Sequence, residues 1–369
     1  MRTEVMTDQG IYDCATDVIY SIVGDLSKGI YAELGGNLTF SWSTKPLVSA
    51  WAESAGDPFC PPQHRVVICY ELARRFYRDA EDYHQFAASE LFEDRIQGFF
   101  RDYDPNPRLP GHIDKMASVR NMFIGSLTWV FFHEVGHLMQ EHGYIRALFG
   151  SNETTTPIED CESDGKQTLE GRAAVIAHVT EFAADVEATQ WCVEELARHF
   201  LFTEGNLEEQ SLQDFRSTLF LLVCGISCAF CRFYGQRSVE PEQVPASSHP
   251  TPNRRLEVCL PNIFEKLDFG GRGKELHGLS RSQLVYLCGG AAYSAGFFWH
   301  WSYAQQSGIP DNFMPKGLLQ DKFIKKYWSA IVLAWDEMEP TINKIRRFGS
   351  SLGMLSFNSE FRSKIFDHP

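Results

Sequence analysis

The sequence predicts an α+β protein in which a small sheet near the amino end is followed by a mainly helical chain. Three stretches carry the strand signal because they alternate in polarity or are rich in β-branched residues: GNLTFSWS (36–43), PLVSAWAES (46–54) and HRVVICYEL (64–72). Apolar residues at helical spacing dominate the rest of the chain. The clearest helical patterns cover residues 70–100, 114–143, 172–200 and 209–235.

The organisation of the chain favours a single domain over residues 1–369, since no internal repeat or long linker divides it. Within it we expect a sheet-containing lobe over about residues 1–145 and a helical lobe over about residues 172–369. A polar insertion, GSNETTTPIEDCESDGKQTLEG (150–171), joins the two, and its composition is typical of a surface loop.

Composition and charge limit the partners. The chain has 369 residues, of which 44% are hydrophobic, enough for a large buried core. Its net charge of −14 would repel nucleic acids and anionic membranes, so we expect a protein or peptide partner and no nucleic acid. The amino end lacks a signal-peptide pattern, and the longest apolar runs (218–231 and 284–301) predict buried helices with no membrane span. We therefore expect a cytoplasmic protein whose ten cysteines are mostly reduced.

The helix predicted over 114–143 carries the main chemical signal. It is apolar nearly all round, which predicts a place in the core, and Gly143 stands at its expected C-cap. His133 and His137 are four residues apart, so both rings lie on one helical face and can reach one metal ion. Glu134 is placed to contact a water on that ion, the HExxH arrangement of zinc peptidases. The alternative is a core helix whose two histidines are satisfied by hydrogen bonds.

A catalytic zinc site needs a third protein ligand. His142 comes five residues after His137, which turns it away from the metal face and predicts a surface or capping residue. In HVTEFAADVEA (178–188), Glu181 and Asp185 share one helical face, so Glu181 can ligate while Asp185 orients a zinc-bound histidine. The alternative for Glu181 and Asp185 is a pair of carboxylates on a solvated helical face. His178, one turn before Glu181, is a minor alternative for the third ligand.

These motifs resemble those of a known group of peptidases. HEVGH followed by EFAAD resembles the gluzincins, within them the group of the CAAX-prenyl endopeptidases and the HtpX heat-shock proteases. SSHPTPNRR (247–255) is similar to that group's HP-x4-R element, which implies that His249 and Arg255 flank the zinc and stabilise the tetrahedral intermediate. LVSAWAES (47–54) resembles the group's strand that can pair with an extended substrate. The resemblance spans roughly residues 46–260 and implies a zincin-like fold without membrane helices.

Three cysteines in CGISCAFC, namely Cys224, Cys228 and Cys231, match the iron–sulfur signature of radical-SAM enzymes. The surrounding chain does not alternate between strands and helices as a βα barrel does. The spacing also makes one stripe of a buried helix, which we expect here.

Together these observations predict a Zn²⁺-dependent endopeptidase of the gluzincin type that hydrolyses protein substrates. His133, His137 and Glu181 would hold the ion, Glu134 would be the general base, and Asp185 would support a ligand. A weaker similarity to the phage-exclusion peptidase Lit suggests a role in regulation or phage defence. The alternatives are a non-catalytic, zinc-stabilised protein-binding module and, more remotely, a radical-SAM enzyme.

Overall fold

The computed structural model describes residues 6–89, 97–104, 106–150, 158–161, 169–203, 209–235, 242–268, 273–304, 322–348 and 354–366. Within these ranges the protein is α+β and mostly helical, as predicted. The strands are β1 (Asn37–Ser43), β2 (Ser49–Ala55), β3 (Gln63–Cys69) and β4 (Ile158–Cys161). The α-helices are α1 (Asp8–Leu26), α2 (Tyr70–Ala87), α3 (Lys115–Met139), α4 (His142–Phe149), α5 (Gly171–Thr203), α6 (Glu209–Tyr234), α7 (Pro252–Asp268), α8 (Gly273–His277), α9 (Arg281–Trp299), α10 (Lys322–Ile345) and α11 (Ser359–Phe366).

The sheet has the strand order β1-β3-β2-β4. β1 runs parallel to β3, and β2 runs antiparallel to both β3 and β4. The three strands predicted before residue 75 are confirmed. β4 belongs to the predicted insertion 150–171, of which 151–157 and 162–168 lie outside the described residues. Because β4 pairs with Ser49–Ala52, the strand expected to pair with substrate has a neighbour on each side.

Helix α1 was not predicted, although its sequence contains a helical signal. The Thr7 hydroxyl caps its amino end by accepting a hydrogen bond from the backbone N–H of Gly10 at 3.2 Å. Ile11, Ala15 and Ile19 recur every four residues and are fully buried. This stripe packs α1 onto α2, α3 and the sheet.

The carboxyl end of α3 differs from the prediction of one helix up to Gly143. The helix ends at Met139, and Glu141 adopts a left-handed conformation with φ of 51° before α4 begins at His142. A non-glycine residue seldom adopts this conformation without compensation. Here the Glu141 carboxylate accepts a hydrogen bond of 2.5 Å from Arg347 Nε. The predicted boundary is therefore wrong, and the chain turns sharply just after the second histidine.

Helix α3 lies at the centre of the fold. It packs against α2, α5 and α6 and beneath β2, so its second half is almost wholly buried. Within the described ranges, α6 is the one helix long and apolar enough to cross a membrane, and 94% of its apolar window is buried inside the protein. Such burial is typical of a core helix. The division into two lobes stays a prediction.

Candidate metal centre and active site

The centre is built on the last turns of α3. His133 and His137 lie one turn apart on the face that meets α5, and both side chains are buried. Their Nε2 atoms are 3.0 Å apart. Trp129, one turn earlier, stacks on the His133 ring with 5.1 Å between ring centroids, which restricts the ring's rotation. The two imidazoles therefore converge on one point.

Helix α5 brings Glu181 to the same point. Glu181 Oε2 is 3.3 Å from His133 Nε2, and Oε1 is 3.3 Å from His137 Nε2. The close approach of α3 and α5 depends on Gly136, inside the HExxH motif. A Cβ at residue 136 would lie 3.2 Å from the carbonyl oxygen of Ala184 and 3.3 Å from its Cα, closer than ordinary van der Waals contact. No role for this glycine was predicted from the sequence.

His133, His137 and Glu181 could hold a metal ion, since one ligand atom from each lies within 4.8 Å of the others. Burial lowers the pKa of His137 to about 4, although Glu181 opposes the shift, so the ring is neutral near pH 7. Burial alone would raise the pKa of Glu181. The nearby rings of His249 and His137, and hydrogen bonds from His133 and His137, have the opposite and larger effect, so the pKa falls well below its usual range. Both groups are therefore in the state that a metal requires.

Asp185 lies one turn beyond Glu181, behind His133. Its Oδ1 lies 2.9 Å from His133 Nδ1, and the Nε2 of that ring faces the centre. Arg255 of α7 donates two hydrogen bonds to Asp185, from Nε at 2.9 Å and from Nη2 at 2.6 Å. The guanidinium also lies over Phe230, 4.4 Å from the ring centroid. The structure thus brings the predicted Asp185 and Arg255 together as a buried ion pair.

His249 reaches the centre from the loop before α7. Its Nε2 is 3.8 Å from Glu181 Oε2, and its Nδ1 is 2.8 Å from the hydroxyl of Ser248. Its side chain is 15% exposed, in contrast to the fully buried ligand candidates. Arg255 Nη2 lies 3.7 Å from the same Glu181 oxygen. The two residues of the HP-x4-R element therefore meet at one carboxylate, although their predicted catalytic roles stay predictions.

The peptidase U49 family model matches residues 75–271, more than half of the chain. The chain belongs to the peptidase U49 family. The matched segment contains every residue of the centre described so far, on α3, α5, α7 and the loop before α7. It supports peptidase activity but does not assign the chain to the CAAX-prenyl endopeptidase and HtpX group. No curated protein and no solved structure matches the chain significantly.

Glu134 of this U49 peptidase is fully buried beside His133, at the position that the HExxH spacing predicts. It does not belong to the group of three residues whose ligand atoms converge. Its role as the general base stays a prediction.

His178, the rival ligand, serves another purpose. Its Nδ1 is 2.8 Å from the Tyr327 hydroxyl, and its Nε2 is 3.0 Å from the backbone oxygen of Ala246. Both ring nitrogens are therefore occupied, and His178 fastens α5 to the loop that carries His249. The idea that it ligates the metal is wrong.

Two residues of α4 approach the centre without having been predicted there. His142, expected at the surface, is fully buried, with Nδ1 2.8 Å from Nδ1 of His137. Burial lowers its pKa well below the usual value. Arg146, one turn later, donates to Glu181 Oε1 from Nη2 at 2.6 Å. His142 and Arg146 are four residues apart, a spacing that places both on one face of a helix. That face could be directed at the centre only by knowing that α3 ends at Met139 and that a new helix begins at His142.

Cys224, Cys228 and Cys231 form a stripe on α6 as expected, and all three are buried. Burial raises the pKa of Cys231 to about 12, so its thiol stays protonated. Cys224 Sγ lies 3.3 Å from the Tyr83 hydroxyl. Among the residues that the structure describes, these cysteines do not belong to a candidate metal group. Their surroundings favour a core role over an iron–sulfur cluster.

Proposed function

We propose that this U49 peptidase is a zinc-dependent endopeptidase of the gluzincin type that cleaves protein substrates in the cytosol. The observation that carries the proposal is the convergence of two imidazole Nε2 atoms and one carboxylate, 3.0–3.3 Å from one another. Ligand atoms at the corners of a tetrahedron with bonds of about 2.0–2.1 Å lie about 3.3 Å apart. Each imidazole Nε2 lies at about this distance from the other and from one oxygen of the Glu181 carboxylate, so the three side chains suit three corners of a zinc site, with the fourth open to water or substrate.

The choice of zinc rests on the ligand chemistry. Two histidines and a glutamate, with one position open, form a ligand set that catalytic zinc uses in peptidases. When bound, zinc would polarise the scissile carbonyl and lower the pKa of a water molecule.

The remaining residues would move protons and stabilise charge. Glu134 would take the proton from the attacking water and deliver it to the leaving amine. His249, partly exposed and directed at the centre, would donate from Nε2 to the oxyanion that forms at the carbonyl. Asp185 and Arg255 would keep the His133 ring in the orientation that ligation needs.

The proposal is tested with the purified chain and unfolded casein. We expect cleavage that stops on treatment with a metal chelator and returns when zinc, in slight excess over the chain, is added back. A preparation carrying Glu134→Gln, purified in the same way, controls for contaminating proteases. A folded, zinc-loaded chain without cleavage, whose thermal stability rises with zinc, would instead indicate the zinc-stabilised binding module.

His249→Ala should lower the rate of peptide cleavage about 100- to 1,000-fold, because an oxyanion donor acts mainly in the transition state. Zinc content should not change, since His249 is outside the converging ligand group. Steady-state cleavage of a peptide substrate and metal analysis give the two measurements.

Ser248→Ala is the matched control for His249, since it removes only the hydroxyl that contacts His249 Nδ1. We expect an effect of a few-fold at most. Arg255→Ala combined with His249→Ala should cost less than the product of the two single effects, because both side chains act at one site. Turnover near the wild-type value in zinc-replete His249→Ala would remove His249 from the mechanism.

A further inference from the structure

His142 lies at the start of α4, and its buried ring contacts the ring of His137. It is the first residue of α4, it is fully buried, and its Nδ1 is 2.8 Å from Nδ1 of His137. The two rings meet nearly edge to face, with an interplanar angle of 75° and centroids 4.9 Å apart. A direct hydrogen bond between the two Nδ1 atoms accounts for this geometry.

The direction of that hydrogen bond follows from the ligand geometry. Nε2 of His137 faces His133 Nε2 and Glu181 Oε1, so ligation would use the lone pair on Nε2. The ring hydrogen of a neutral His137 then resides on Nδ1. His137 must therefore donate, and His142 Nδ1 must accept. The two metal histidines thus differ: a carboxylate supports His133, and a neutral imidazole supports His137.

The surroundings of His142 indicate that its contact with His137 costs folding stability. Within the described residues its Nε2 is buried without a hydrogen-bond partner, an unfavourable arrangement for a polar atom. The ring reaches His137 only because Glu141 adopts the left-handed conformation that ends α3. Arg347 donates to the Glu141 carboxylate, and His64 Nε2 lies 3.5 Å from it. The turn that aims His142 is therefore held from two other parts of the chain.

We propose that His142 is a positioning residue, which accepts the Nδ1–H of His137 and so keeps Nε2 of His137 directed at the metal. The inference rests on the proposed function, since it presupposes a metal at the centre. A partner of this kind fixes the tautomer and orientation of a ligand, and its loss typically weakens metal affinity about 10- to 100-fold.

Two substitutions separate the acceptor from the bulk of the ring. His142→Leu keeps an apolar volume but removes the acceptor, and we expect zinc affinity, measured by competition with a chromogenic chelator, to fall about 10- to 100-fold. His142→Asn places an amide oxygen near the position of Nδ1, and we expect affinity within a few-fold of wild type. His277→Leu is the matched control, because His277 is also a buried histidine but lies in α8. It should alter thermal stability without altering zinc affinity.

A measurement on the wild-type chain removes any dependence on how the variants fold. Long-range ¹H–¹⁵N spectra of the zinc-loaded protein should give His137 as the Nδ1–H tautomer, with a coupling across the hydrogen bond to His142 Nδ1. An Nε2–H tautomer for His137, or wild-type zinc affinity in folded His142→Leu, would overturn the role of His142 alone. Failure of the wild-type chain to bind zinc would overturn the proposed function together with it.

Discussion

Glu134→Gln should abolish nearly all hydrolysis and leave about one zinc ion per chain. The substitution keeps the size of the side chain but removes the basic oxygen, and loss of a general base typically costs about 100- to 10,000-fold in rate. Metal content should persist because Glu134 does not belong to the converging group of His133, His137 and Glu181. Peptide cleavage and metal analysis on the same preparation measure both quantities.

The matched control for Glu134→Gln is Glu187→Gln, which makes the same change at another buried glutamate of the core. Glu187 binds the Gln140 amide at 2.6 Å, and burial raises its pKa to about 7, although hydrogen bonds from Gln140 and Trp191 oppose the shift. Glu187 is therefore already partly protonated at neutral pH, and we expect cleavage within a few-fold of wild type. If Glu134→Gln also keeps its rate within a few-fold, the general-base mechanism is wrong.

Glu181→Ala should remove the metal altogether, because it deletes a ligand atom and leaves two histidines to hold the ion. Asp185→Asn should weaken zinc affinity about 10- to 100-fold, since its amide oxygen can still accept from His133 Nδ1. Zinc titrations of the two variants and of wild type, monitored by chelator competition, give the order of affinities.

A stability measurement must accompany the titration of Asp185→Asn. Arg255 is 2% exposed and donates two hydrogen bonds to Asp185, so the variant removes the nearer of the two carboxylates that face this buried cation. We therefore expect a lower unfolding temperature even without zinc. Equal zinc occupancy in wild type and in folded Glu181→Ala would contradict the proposed ligand set.

Two pairs of residues at the centre could be predicted from the sequence because the members of each pair lie one turn apart on the same helix. His133 and His137 share a helical face through their spacing of four residues, and Glu181 and Asp185 do so in the same way. Any helix of sufficient length presents such pairs together, whatever surrounds it. The distance between the pairs could not be obtained in this way, because it depends on Gly136 meeting the backbone of Ala184 on another helix.

The role of His142 could not be predicted because the end of α3 is decided elsewhere. On a continuous helix a residue five positions after His137 faces away from it, and that assumption placed His142 at the surface. The helix ends early because Arg347, 206 residues later in the sequence, holds Glu141 in its left-handed conformation. Local periodicity contains no information about such a contact.

The ion pair between Asp185 and Arg255 also fixes when the centre can form during synthesis of the chain. The two residues are 70 positions apart, and at about 5–20 residues per second the ribosome needs about 4–14 s to pass from one to the other. During that interval the Asp185 carboxylate has been synthesised, but the Arg255 guanidinium that binds it has not. A nascent chain would therefore carry its ligands without the support that orients them, and peptidase activity would begin only after α7 has emerged.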